Sequence, residues 1–313
     1  MRSILTLTMN PALDVSTSVP YVLPDQKLRC DQPRHDPGGG GINVARAVRR
    51  LGGDALAWFP AGGPAGGLLQ ELLRDEGVPH HVVPTRQWTR ENLNVAEDTS
   101  GRQFRFIMPG PALEESEWRR FLADDGLTDP APAFLVASGS LPPGVPLDFY
   151  ERLARRARER GSRMVLDTSG EALARAVEAG VYLLKPSLRE FRALTGGTAE
   201  DESALVALAV EAVTRRRWCD VLVLSLGAAG ALWVSVDGGA RLAAPAVPVR
   251  STVGAGDSMV AAIVHALVGG RSVGEAVRCG VAAGAAAALN PGTELCHRAD
   301  VERLEAQVAV TPL

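Results

Sequence analysis

Asp257 stands behind two glycines in the stretch RSTVGAGDSMVAA, residues 250–262. Gly254 and Gly256 leave the backbone bare, and bare N–H groups at a helix start form an anion site. A carboxylate beside a bound anion is placed to move a proton next to a phosphate. A simple N-cap is the plainer use of the same residue. A second stretch, PGGGGINVARA at 37–47, sets four glycines before a helix. That run is costly in backbone entropy, so something must approach its backbone closely. Asn43, on the first helical turn, can point at the same ligand. A third stretch, LSLGAAGALW at 224–233, places Gly227 and Gly230 after a strand. Ligands bind at strand ends in α/β sheets, although this stretch reads equally well as a turn. No G-x-x-x-x-G-K-[ST] is present. Val44 stands where a G-x-G-x-x-G would need its third glycine, so neither nucleotide motif supports the reading.

The elements that must hold these residues alternate. Short apolar runs at 4–9, 55–62, 133–139, 163–169, 181–187 and 220–227 read as buried strands. Between them, residues 41–52, 66–77, 148–161, 170–180 and 203–217 repeat apolar positions at helical spacing, and most end near Gly. Strand–helix alternation predicts a parallel sheet covered on both faces. Two segments break the pattern. Residues 15–36 are polar, proline-containing and non-helical. Residues 91–108 set Leu93 and Val95 against Phe104, Phe106 and Met108 around a Ser100-Gly101 turn, a hairpin signal. Together they form either a small separate sheet over one end of the core or two ordinary edge hairpins.

With 313 residues, 46% of them hydrophobic, the chain can fill one large core. A net charge of −3 with mixed signs argues against nucleic acid or an acidic membrane as partner. The arginines at 152–160 alternate with Glu and Leu at helical spacing, the pattern of a solvated helix face. Cys30, Cys219, Cys279 and Cys296 are widely spaced, and the histidines lack metal-ligand spacing. These features predict reduced thiols and a cytoplasmic protein. The longest apolar run falls short of the ~18–20 residues that span a bilayer.

GGGGINVA and STVGAGDSMVAA resemble the two signatures of the ribokinase/PfkB sugar-kinase family, and the likeness runs in order over essentially the whole chain. It is nearest to the bacterial minor, type II 6-phosphofructokinases, on the segments TMNPALD, KLRC, GGGGINVARA, FPAGG, WTREN, FRFIMPG, SGSLPPG, LDTSGEAL and LNPGTELC. The resemblance implies a single ribokinase-like domain over 1–313. A three-layer α/β/α core would carry a β lid inserted as 15–36 and 91–108.

The implied reaction is ATP-dependent phosphorylation of fructose 6-phosphate at its 1-hydroxyl. Asp257 would be the base, and Gly254, Ala255 and Gly256 the anion hole. Asp14, Gly39, Gly40, Gly41, Asn43 and Ser140 match the sugar site, Lys27 a lid residue near the phosphates, and Arg90 the binder of the substrate's own phosphate. Lys185, Ser225, Gly227 and Gly230 match ATP contacts, and Val281 and Gly284 flank adenine in relatives. The N-x-x-E motif tied to Mg²⁺ reads Ser187-Leu188-Arg189-Glu190, with Ser in place of Asn. Ser251, Val253, Ala287, Asn290 and Gly292 resemble a loop site for a monovalent cation such as K⁺. Glu294 stands where close relatives carry Arg. Tagatose 6-phosphate and fructose 1-phosphate are rival substrates, the latter disfavoured because Gly40 stands where such kinases carry Lys. A non-catalytic sugar-phosphate sensor is the rival of another class. The apolar hairpin face predicts a homodimer joined through the lid.

Overall fold

The structure, a computed structural model, describes residues 3–123, 131–197 and 201–313; the rest of the expected 1–313 domain lies outside the described residues. The chain runs β1 (Ile4–Leu7), β2 (Ala12–Val19), β3 (Arg34–Gly38), α1 (Gly40–Arg50), β4 (Ala55–Ala61), α2 (Gly63–Asp75), β5 (His80–Pro84), β6 (Arg90–Glu97) and β7 (Gln103–Phe106). It continues with α3 (Glu115–Trp118), β8 (Phe134–Ser138), α4 (Phe149–Glu159), β9 (Arg163–Asp167), α5 (Gly170–Ala176), β10 (Val181–Leu184), α6 (Leu188–Thr195), α7 (Glu202–Thr214) and β11 (Cys219–Ser225). Last come β12 (Ala231–Ser235), β13 (Gly238–Ala243), α8 (Ala255–Val268), α9 (Val273–Ala288), α10 (Arg298–Glu305) and β14 (Ala309–Pro312).

A ten-stranded sheet takes the order β14-β13-β12-β11-β10-β9-β8-β1-β4-β5. From β11 to β5 every neighbouring pair is parallel; β12, β13 and β14 extend the sheet antiparallel. Its central strands are buried along their whole length because helices cover both faces. One apolar cluster joins α1, α8, α9 and α10 to the first face, and another joins α4, α5 and α7 to the second. All six apolar runs read as strands become strands of this sheet. The alternation does not extend to β12 and β13, where a two-residue turn at Val236-Asp237 replaces a crossover helix.

Chain order reverses at β1, which lies between β4 and β8. Such a switch point opens a crevice at the carboxyl ends of the strands. Over this end lies a separate four-stranded sheet, β3-β2-β6-β7. The strands β6 and β7 form the expected hairpin, with Leu93 opposite Phe106 and Val95 opposite Phe104. The first lid segment is corrected in detail. Its strands start at Ala12 rather than 15, and residues 20–33 between β2 and β3 carry no strand or helix. Leu93, Phe106, Ile107 and Met108 are exposed, while Phe104 is half-buried.

Candidate active site

Three distant segments meet in the crevice. Gly254 begins α8 in a left-handed conformation (φ 74°), which glycine adopts without penalty. The turn it makes places Asp257 in the first helical turn. The first N–H groups of any helix lack intrahelical acceptors, so this end is a donor cluster. Asn43, on the first turn of α1, donates through Nδ2 to Oδ2 of Asp257 at 2.9 Å. Burial raises the Asp257 carboxyl to about 6, and the charge of Asp167 adds to the rise; the Asn43 hydrogen bond and Lys185 oppose it. Lys185, buried just past β10, pairs with Asp167 Oδ2 at 3.1 Å. Its Nζ is the nearest atom to a side chain placed at Gly256, at 3.6 Å, so an ammonium stands over the donor cluster.

Asp14 on β2 forms the other wall. It is 9% exposed and accepts from Asn92 Nδ2 on β6 at 2.8 Å. Burial raises its carboxyl, against the Asn92 bond and the charge of Arg90. The four-glycine run is explained largely by protein contacts. A Cβ at Gly38 would meet Asp14 Oδ2 at 2.5 Å, at Gly39 Thr8 Cγ2 at 2.6 Å, at Gly40 Ser138 Oγ at 2.2 Å, and at Gly41 the Leu7 carbonyl oxygen at 2.4 Å. What this backbone touches closely is the ends of β1, β2 and β8, and that seats α1 in the crevice.

Arg90 opens β6. Its guanidinium donates to the carbonyls of Asn10 (2.9 Å), Pro11 (3.4 Å) and Met108 (2.8 Å), tying the lid hairpin to the end of β1. Three of its five N–H groups are thus committed within the protein. Ser140 is exposed past β8 and accepts from Asn10 Nδ2 at 3.2 Å. Lys27 is exposed on the 20–33 segment.

On the strand ends beyond β9, Ser187 and Glu190 form a reciprocal capping box at the start of α6, using Glu190 Oε2. Ser225 closes β11 and pairs with Ser187 in an isolated bridge. Gly227 is left-handed (φ 60°) with open space around it. Gly230 is required because a Cβ there would meet the Leu242 carbonyl oxygen at 2.0 Å. Val281 is 1% exposed inside the helical layer, and Gly284 faces Ala255 and Met259 of α8.

Among the described residues no three His, Cys, Asp or Glu side chains form a metal-holding group. Single carboxylates such as Glu190 fit Mg²⁺, which keeps waters and phosphate oxygens and needs no protein cage. The 251–253 and 287–293 loops adjoin each other. Ser251 Oγ donates to the Gly292 carbonyl at 2.6 Å, and Asn290 N to that of Ala287 at 3.0 Å. Uncharged carbonyl and hydroxyl oxygens are the donors that suit a weakly hydrated monovalent cation. Glu294 pairs with His297 at 2.7 Å, outside this group.

Sequence reading passes over three polar residues at the site. Asp167 ends β9, and its position at a strand's carboxyl end is the signal. Asn10 and Asn92 hold Ser140 and Asp14, roles visible only once the lid is folded. The four cysteines are free, and no helix among the described residues is long and apolar enough to cross a membrane.

The sequence matches the pfkB family carbohydrate kinase model over residues 6–300. It is 49% identical, over 96% of this chain and 88% of the other, to a Mycobacterium tuberculosis protein named ATP-dependent 6-phosphofructokinase isozyme 2. The crystal structure of phosphofructokinase-2 from Escherichia coli in complex with potassium superposes with a TM-score of 0.93 at 44% identity, covering 98% of this chain and 99% of that one. Arabidopsis thaliana ribokinase, complexed with ribose and ATP, shares the fold at a TM-score of 0.77 and 18% identity, over 97% and 99% of the two chains.

Proposed function

The chain belongs to the pfkB family of carbohydrate kinases, and from that premise we propose that it transfers the γ-phosphoryl group of ATP to the 1-hydroxyl of fructose 6-phosphate. The observation that carries this reading is the 2.9 Å contact between Asn43 and Asp257. It joins the candidate ligand of the sugar hydroxyls to the candidate base.

Asp14 and Asn43 orient the sugar so that its 1-hydroxyl lies beside Asp257. Asp257 accepts the hydroxyl proton as the new O–P bond forms and the bond from the γ-phosphorus to the bridging oxygen breaks, releasing ADP. A carboxyl near pH 6 is mostly ionised at neutral pH and still basic enough to share a proton. Backbone N–H groups from Gly254 to Asp257, with the Lys185 ammonium above them, face the charge that spreads over the phosphoryl oxygens. Arg90 offers its two remaining N–H groups to the 6-phosphate, and Ser140 lies beside the sugar. Lys27 reaches the phosphates from the lid. Ser225, Gly227 and Gly230 border the nucleotide, with Gly284 along the adenine. Glu190 would stand on the side of a nucleotide-bound Mg²⁺, which would supply neutralisation of phosphate charge, and the carbonyl and hydroxyl oxygens of the 251–253 and 287–293 segments would hold K⁺. The exposed apolar face of the lid is the surface for a second copy of the chain.

Initial rates with ATP against fructose 6-phosphate, tagatose 6-phosphate, fructose 1-phosphate and free fructose test the proposal. Fructose 6-phosphate should give the highest kcat/KM, with a 1,6-bisphosphate product. Preference for another acceptor would replace the substrate, and ATP binding without transfer would favour a sensor.

A further inference from the structure

We propose that Arg46, buried beneath the first turn of α1, is a positioning residue that fixes which end of the Asn43 amide faces Asp257 and thereby keeps that carboxylate ready to accept a proton. The inference rests on Asp257 being the base, as proposed above.

Arg46 is only 2% exposed. Burying a guanidinium is costly unless its donors are met, and here they are met in a specific way. Nε and Nη2 grip the two oxygens of Glu76, at the end of α2, the first at 2.7 Å. Nη1 donates to the Pro37 carbonyl at 2.9 Å and to Asn43 Oδ1 at 3.3 Å. Asn43 and Arg46 are three residues apart on α1, so they share one helix face.

An amide has a donor end and an acceptor end, and either can face a carboxyl group. A guanidinium has donors only. Set behind Asn43, it takes Oδ1 and leaves Nδ2 pointing at Asp257. That orientation suits an ionised carboxylate, which can only accept. Turned over, the amide would set oxygen against oxygen, a contact tolerated only with a proton on Asp257. The chain Arg46–Asn43–Asp257 therefore selects the basic form of the carboxylate from behind, while Glu76 only anchors Arg46.

The other charges around Asp257 come from several elements. Asp167 at the end of β9, Lys185 after β10 and Asp14 on β2 act on it through space. Glu190 on α6 acts on Asp167, and Asp36 on β3, Arg90 on β6 and Arg46 itself act on Asp14. Among the described residues, Asn43 alone donates a side-chain hydrogen bond to the Asp257 carboxylate. Its orientation is thus a control separate from that field.

The test is a series of Arg46→Met, Arg46→Lys, Asn43→Ala and Arg46→Met in the Asn43→Ala background. Two readouts apply, the pH profile of kcat and the titration of Asp257 followed by NMR on protein labelled with ¹³C at aspartate carboxyls. Arg46→Met should move the acid limb and the Asp257 titration up by about one pH unit. That corresponds to roughly tenfold in rate on the acid side, with most of the rate regained at high pH. Both KM values should stay within about threefold, as expected for a change that acts on the base and not on binding. Arg46→Lys should restore part of the shift. In the Asn43→Ala background Arg46→Met should add no further shift.

Glu76→Gln keeps the Arg46–Asn43 contact and should lower Tm without moving the limb. A uniform loss at every pH would make Arg46 a structural residue only. An equal shift with Asn43 absent would mean that it acts by its charge alone. Either result overturns the proposal. If Arg46→Met does not fold, Arg46→Lys takes its place with a smaller expected shift. The NMR titration needs no turnover, so a wild-type protein inactive on fructose 6-phosphate would refute the substrate reading while Arg46 was still tested.

Discussion

Two glycine-rich helix starts face each other across the crevice, and they use glycine for opposite reasons. At Gly38–Gly41 a side chain at any position would strike protein: a carboxylate, a methyl, a hydroxyl or a carbonyl. At Gly256 the nearest atom is the Lys185 ammonium, at ordinary contact distance. The first run lets α1 pack hard against three strand ends. In the second, Gly254 is held by its left-handed backbone and by Leu295, which a Cβ there would meet at 2.6 Å, and only Gly256 keeps the helix start open beside Asp257. The same pattern in sequence, glycines then a helix, marks tight packing in one place and access in the other.

The largest effect that tests the contrast is at Asp257. Asp257→Asn keeps the shape of the open loop and removes the proton acceptor, so kcat should fall by about 10²–10⁴ with much smaller changes in KM. Near-normal turnover in the purified variant would leave the second glycine loop without its chemistry. On the other wall, Arg90→Ala should raise KM for fructose 6-phosphate by roughly ten-fold to a thousand-fold, through one or two charge-assisted bonds. KM for ATP should hardly move, and free fructose should be used no worse. A rise for ATP alone would assign Arg90 to the nucleotide.

Gly40→Ala and Gly256→Ala set the two runs directly against each other. Gly40→Ala drives a methyl into Ser138 and should cost about 1–3 kcal/mol of stability in urea unfolding. Gly256→Ala lies within a helix and should leave stability unchanged or raise it by up to ~1 kcal/mol. Its methyl stands among the donors, so kcat should nevertheless fall at least tenfold, approaching the roughly 10²–10³ lost with an oxyanion donor. If the two swap behaviour, the assignment of packing and access is reversed.

The last effect is on stability against pH. Folding raises the Asp257 carboxyl from its ordinary value to about 6. A raised carboxyl contributes stability that is present below the unfolded value and is lost as pH rises through 6. Asp257→Asn should therefore be the more stable protein above pH 6, with the gap closing as pH falls toward 4. Urea midpoints at pH 5 and 7.5 would reveal a gap of the wrong sign. The wild-type kcat should decline on the acid side over the same range.

Much of this arrangement is legible in the chain. The six buried strands, the lid hairpin and the two glycine-led helix starts follow from apolar periodicity and turn residues. What escapes has physical reasons. The helix α9 is built of small residues and buried on nearly every side, so it carries little amphipathic signal. The strands β12 and β13 follow hairpin rules instead of the alternation, and β14 returns to the sheet edge only after three helices. Asp167 looks like any polar residue after a strand until Lys185 is seen against it. Arg46 sits at the spacing of a surface charge, and nothing local announces that α2 will close over it with Glu76. Ser187-x-x-Glu190 reads as a motif in the chain and as a helix cap in the fold, because one spacing serves both.

The strand order also sets when the protein can work. Asp14 and Asn43 lie near the start of the chain, Asp167 and Lys185 lie past its middle, and Asp257 comes in its last quarter. Closing so long a loop costs little more free energy than closing a shorter one, because that cost grows only with the logarithm of length. It does cost time, since contacts between distant segments form slowly. On the ribosome the lid hairpin and α1 emerge long before the helix that carries Asp257. A growing chain therefore carries Asp14 and Asn43 through most of synthesis before Asp257 exists to face them. Phosphoryl transfer belongs to the finished chain alone.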